Sequence, residues 1–77
     1  MKEKKINKNF GKLVRAQRRG LDLSQIDLCS KTGLYSFALS SLEKHGVLPS
    51  SIHNDWLPKL CKALKLDYQE IKKLLDN

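Results

Sequence analysis

Between Ser36 and Lys44 the sequence sets three hydroxyls, one aromatic ring and one ammonium at helical spacing: Ser36, Phe37, Ser40, Ser41 and Lys44. A hydroxyl both donates and accepts, a ring packs on apolar groups, and an ammonium pairs with an anion. Such a face reads as a surface kept clear for a partner. Bond-making chemistry is poorly served. His45 and His53 fall at a helix end and in a loop, without a paired carboxylate or nucleophile at useful spacing. Cys29 is expected between helices, a poor place for a reactive thiolate. There is no glycine-rich phosphate loop and no metal-ligand cluster, so neither enzymatic activity nor a cofactor, metal or small-molecule ligand is expected.

Charge sharpens the partner class. The formal net charge is +7. Residues 1–19 hold Lys2, Lys4, Lys5, Lys8, Lys12, Arg15, Arg18 and Arg19 against Glu3 alone, while the basic and acidic side chains of residues 20–77 balance. The whole excess therefore lies in an N-terminal arm and the first helix, where an anionic polymer or an anionic membrane face would be attracted. A membrane surface is the poorer match, because no amphipathic helix here has the bulky apolar face it needs. By itself, a lysine-rich start is as readily a solubilising tail.

The face at 36–44 needs a scaffold, and the residues around it supply one. Ser24 can cap a helix, Asp27 puts a carboxylate in its positive first turn, and Leu28 points inward with Ile26 beside it. Gly33 ends that helix where a left-handed residue is required. In the next helix Leu34, Ala38, Leu39 and Leu42 share the inward face. The result is two short helices about a tight turn, over residues 24–45.

Gln25, Leu28, Cys29, Gly33, Leu34, Leu39 and Leu42 resemble the helix-turn-helix of Cro/CI-type repressors, the xenobiotic-response-element family. Glu43 and Pro49 keep that family's spacing beyond the second helix, and the similarity runs over about residues 10–75. Three features depart from the pattern: Cys29 for the usual alanine, Tyr35 for the usual Ser/Thr cap, and a longer loop before the next helix. The resemblance implies an all-α, five-helix, lambda-repressor-like DNA-binding domain with a central helix-turn-helix. It also implies a sequence-specific transcriptional regulator of the repressor kind, acting on double-stranded DNA.

Carried over position by position, Ser36, Phe37, Ser40 and Ser41 fall where relatives read base edges. Gln25 matches the glutamine that contacts a phosphate and braces the recognition helix, and the start of its helix offers N–H groups to the same anion. Ser24, Lys12, Arg15, Arg18 and Lys44 are further candidate phosphate donors, each otherwise a solvated side chain. Tyr35 reaches a phosphate or a base, or else packs across the helix-turn-helix. None of the four base-edge residues can make the bidentate pairs that arginine makes with guanine, or glutamine with adenine. Specificity is thus expected to lean on hydroxyl, methyl and shape readout, with affinity from the basic arm.

The remaining chain completes one domain, residues 9–77, after a flexible basic arm at 1–8. Asn7 or Asn9 caps a first helix to about Arg19, burying Phe10, Leu13 and Val14 and part of Gln17. Leu21 and Leu23 plug the core, and residues 46–54 read as loop. Pro58 is tolerated in a first turn, which starts the fourth helix near Asp55. Leu57, Leu60, Cys61 and Leu64 form its inward stripe. Asp67 begins the last helix, with Glu70 at the capping-box position. Trp56 and Tyr68 belong to the core or its edge, or to a subunit contact. Ile71, Leu74 and Leu75 form a homodimer surface or close the core; dimers suit palindromic operators with half-sites about one DNA turn apart. Cys29 and Cys61 are expected as reduced core residues. With no apolar run of about 18 residues and no secretory h-region, a cytoplasmic, nucleoid-associated protein is expected. The competing function is a protein-interaction module, such as an antitoxin or antirepressor partner, built on the same scaffold.

Overall fold

Asn7 opens the first helix, its Oδ1 accepting the Phe10 N–H at 2.9 Å. In the computed structural model, which describes residues 3–76, this helix is α1 (Lys8–Gly20). Phe10, Gly11, Val14 and Arg18 form its buried stripe. Ser24 and Asp27 then make the reciprocal capping box of α2 (Gln25–Thr32), Oγ accepting the Asp27 N–H and the Asp27 carboxylate accepting the Ser24 N–H, both at 3.0 Å. The bonds to Ser24 hold the Asp27 carboxyl below its ordinary pKa.

The turn after α2 is fixed by two devices. Gly33 takes the left-handed conformation at φ 78°. Buried Thr32 donates its hydroxyl to the Leu28 carbonyl at 2.8 Å and accepts the Leu34 N–H at 3.3 Å. The chain then enters α3 (Ser36–His45), whose Ala38, Leu39 and Leu42 are fully buried. α4 (Trp56–Leu64) and α5 (Tyr68–Asp76) close the core. Pro58 lies in the first turn of α4. Asp67 accepts the Gln69 and Glu70 N–H groups ahead of α5, at 2.9 and 3.2 Å. Phe10 and Trp56 meet at the centre, ring centroids 6.5 Å apart and tilted by 56°.

Residues 3–8 are not a free arm. Glu3–Lys5 forms a strand, β1, paired antiparallel with β2 (Val47–Pro49) in the register Glu3↔Pro49, Lys4↔Leu48 and Lys5↔Val47. Met1 and Lys2, the rest of the expected arm, lie outside the described residues. The cause is the end of α3. Gly46, at φ 71°, reverses the chain, and its carbonyl accepts both the Ile6 and Asn7 N–H groups at 2.8 and 3.0 Å. A Cβ at Gly46 would strike the Asn7 carbonyl as well as strain the backbone. The stretch expected as loop thus begins as a strand, and its Leu48 is buried in the core.

Two further expectations change. Ile71, assigned to a dimer surface, is buried in this core; Leu75 is half-buried against it, and Leu74 remains 39% exposed. Cys61 is buried, whereas Cys29 is only half-buried, and both thiols are free. Burial pushes both thiol pKa values up, helped by the Glu43 charge at Cys29 and the Asp67 charge at Cys61.

Candidate nucleic-acid interface

α3 is held from below and bare above. With Ala38, Leu39 and Leu42 in the core, helical periodicity turns Ser36, Phe37 and Lys44 to solvent and leaves Ser40 and Ser41 half-buried at the margin. Tyr35 stands at the N-cap without a side-chain cap bond. It does not pack across the helix-turn-helix. Its ring stacks on Phe37, centroids 5.8 Å apart and planes 3° from parallel, with the two residues 60% and 57% exposed. Exposed Ile26 lies on the first turn of α2.

Beside α3 runs an open groove lined by Lys12, Arg15, Ala16 and Arg19 of α1 with Glu43 and Lys44 of α3. Lys12, Arg15 and Arg19 share a face because they recur at intervals of three and four residues. The crossing of α1 over α3 lays that face along Lys44. Arg19, absent from the expected phosphate donors, is therefore part of this surface. Lys4 and Lys5 are not; they line a different groove, with Trp56, Tyr68 and Leu75.

Arg18 must be removed from the phosphate donors. It is only 9% exposed, and its donors are committed internally. Nε and Nη2 donate to the two Glu43 oxygens at 2.8 and 3.0 Å, and Nη1 donates to the Leu23 carbonyl at 2.9 Å. The bond to Glu43 raises the Arg18 pKa further above its already high ordinary value, against an opposing effect of burial. Glu43 is itself 5% exposed and also accepts from Gln25 Nε2 at 3.3 Å. One carboxylate thereby joins α1, the start of α2 and α3. Gln25 is half-buried and tied to α3 through this bond.

Ser24 keeps an exposed hydroxyl at the start of α2, although its oxygen already serves as the cap. Among the described residues, no group of three or more His, Cys, Asp or Glu side chains could hold a metal ion. Nor, among them, is any helix long and apolar enough to cross a membrane.

No protein-family model matches the sequence, and no curated protein matches it. Solved structures do. One is SinR, the master regulator for biofilm formation, in complex with DNA, at 22% identity and a TM-score of 0.63 over 80% of this chain and 95% of that one. Another is the complex of SinR with SinI, at 23% identity and a TM-score of 0.63 over 79% of this chain. This chain spans 57% of the length of that second match. The five-helix fold with a central helix-turn-helix is thus one shared with SinR.

Proposed function

We propose that this domain is a sequence-specific double-stranded DNA-binding transcriptional regulator, a repressor, that lays α3 in the major groove. The observation that supports this best is the exposed face of α3 alongside a groove carrying Lys12, Arg15, Arg19 and Lys44. Phosphate contacts set register, and base contacts set sequence. In this reading those four cations, with Ser24, Gln25 and the Tyr35 hydroxyl, hold phosphates. Ser36, Phe37, Ser40 and Ser41 face base edges, and the protein works in the cytoplasm at the nucleoid.

Fluorescence anisotropy over a salt series tests the reading. Affinity is expected to fall steeply with salt as counterions are released. Arg15→Ala and Lys44→Ala should each weaken binding to all sequences and flatten the log–log salt slope by about 1. Affinity indifferent to salt would end the proposal.

Two half-sites need two copies. In this reading a second chain covers exposed Leu74 and half-buried Leu75 of α5. Sedimentation without DNA is expected to give a homodimer at high concentration, and a persistent monomer would rule out the palindromic arrangement.

A protein-binding role is the second reading, favoured by the exposed Tyr35–Phe37 pair, since exposed aromatics are common anchors at protein interfaces. SinR itself occurs in a complex with another protein, SinI. Salt-insensitive or absent DNA binding would shift the weight to a module of the antitoxin or antirepressor-partner kind.

A further inference from the structure

Two large rings in solvent on a domain this small are an anomaly in its burial pattern. Tyr35 and Phe37 are each more than half exposed, yet they are ordered against one another, stacked nearly parallel with centroids 5.8 Å apart. Stacking makes them one rigid apolar plate at the entry to α3, and little side-chain freedom is left to lose when a partner covers it. The only apolar group that a base edge presents in the major groove is the C5-methyl of thymine.

The rest of the face adds a second constraint. The polar groups that this reading turns to base edges are the hydroxyls of Ser36, Ser40 and Ser41, and each can either donate or accept. Such groups tell a keto oxygen from an amino group poorly, whereas the plate senses a methyl group directly. Thymine and 5-methylcytosine carry the same C5-methyl and differ at C4, by oxygen against amine.

Resting on the DNA-binding reading above, we propose that the Tyr35–Phe37 plate reads the C5-methyl groups of one or two adjacent pyrimidines, and that it accepts 5-methylcytosine in place of thymine. DNA binding by this domain then responds to cytosine methylation at those positions. The class of ligand is a C5-methylated pyrimidine in duplex DNA.

The test uses the full chain and a duplex selected from a random pool. At each thymine of the selected site, uracil, cytosine and 5-methylcytosine are substituted in turn, with the complementary purine adjusted for the cytosines. Uracil is expected to weaken binding about fourfold at one position, and roughly 15-fold where two adjacent methyls are lost. At those same positions cytosine should weaken binding at least as much, and 5-methylcytosine should restore it to within about twofold of thymine. Phe37→Ala, a substitution at an exposed site whose fold is checked by thermal melting, should abolish the uracil penalty while keeping the salt dependence. Uracil equal to thymine everywhere, 5-methylcytosine no better than cytosine, or a penalty that survives Phe37→Ala each overturns the inference and leaves DNA binding standing. Failure to bind any duplex overturns both.

Discussion

Glu43→Ala is expected to destabilise the domain by about 3–5 kcal/mol, because it strands a buried guanidinium without its counter-charge. The geometry supports the upper part of that range. Arg18 meets both oxygens of one carboxylate, and the pair is nearly shut off from solvent. A domain of 77 residues has a total stability of roughly 4–12 kcal/mol at ordinary values per residue, so the variant should sit near its folding threshold. Urea unfolding followed by circular dichroism reads this directly. The double replacement Arg18→Met with Glu43→Leu should recover most of the loss, since it removes both desolvated charges together. A loss below about 1 kcal/mol for Glu43→Ala would be the value for a surface pair, and would mean that water reaches this one.

The same substitution should be felt at the proposed interface. Glu43 also holds Gln25, so removing it unties the start of α2 from α3 without replacing any exposed side chain of the face. In the DNA-binding reading, this separates bracing of the recognition helix from contact with the duplex. Supporting groups of this kind set how accurately contacting groups are placed.

Much of this was legible in the sequence because local signals and core periodicity agreed. Ser24 with Asp27, Gly33 and the Leu34–Ala38–Leu39–Leu42 stripe each specify the same two helices, and the folded chain uses all of them. The difference at Arg18 arises because a charged side chain suggests solvent even where its helical position points inward. Arg18 lies four residues beyond Val14, on the stripe that begins with Phe10, and Glu43 lies four beyond Leu39. Both positions point inward, and two inward charges of opposite sign predict a buried pair. β1 and β2 were invisible for another reason. Three-residue strands carry almost no period, and their pairing depends on the reversal at Gly46, a long-range consequence of how α3 ends. The Tyr35–Phe37 stack was out of reach as well, since residues two apart on a regular helix do not face each other. They meet here because Tyr35 is the extended N-cap residue, with φ −73° and ψ 152°.

Alanine at Gly11 and alanine at Gly20 are expected to move stability in opposite directions, although both glycines belong to α1. On propensity alone either change should help by up to about 1 kcal/mol. At Gly20 nothing lies within 4 Å of the added carbon, so a gain of about 0.4–1 kcal/mol should be realised. At Gly11 the Leu42 carbonyl of α3 occupies the place of a Cβ, with the Glu43 carbonyl close by. Both obstacles are main chain in the last turn of α3 and cannot swing aside as a side chain would. The helices must separate, loosening Phe10 and Val14 from Leu39 and Leu42, and overpacking at such a crossing should cost about 3 kcal/mol or more. For a domain of this size that is a fall in melting temperature of at least about 12 °C, against a rise of a few degrees for Gly20→Ala. Because Lys12 follows Gly11 directly and Lys44 follows Leu42 and Glu43, this crossing also fixes the spacing of the cationic groove. A Gly11→Ala protein that melts like the parent would show that α1 and α3 are not in backbone contact, and that the groove needs another explanation.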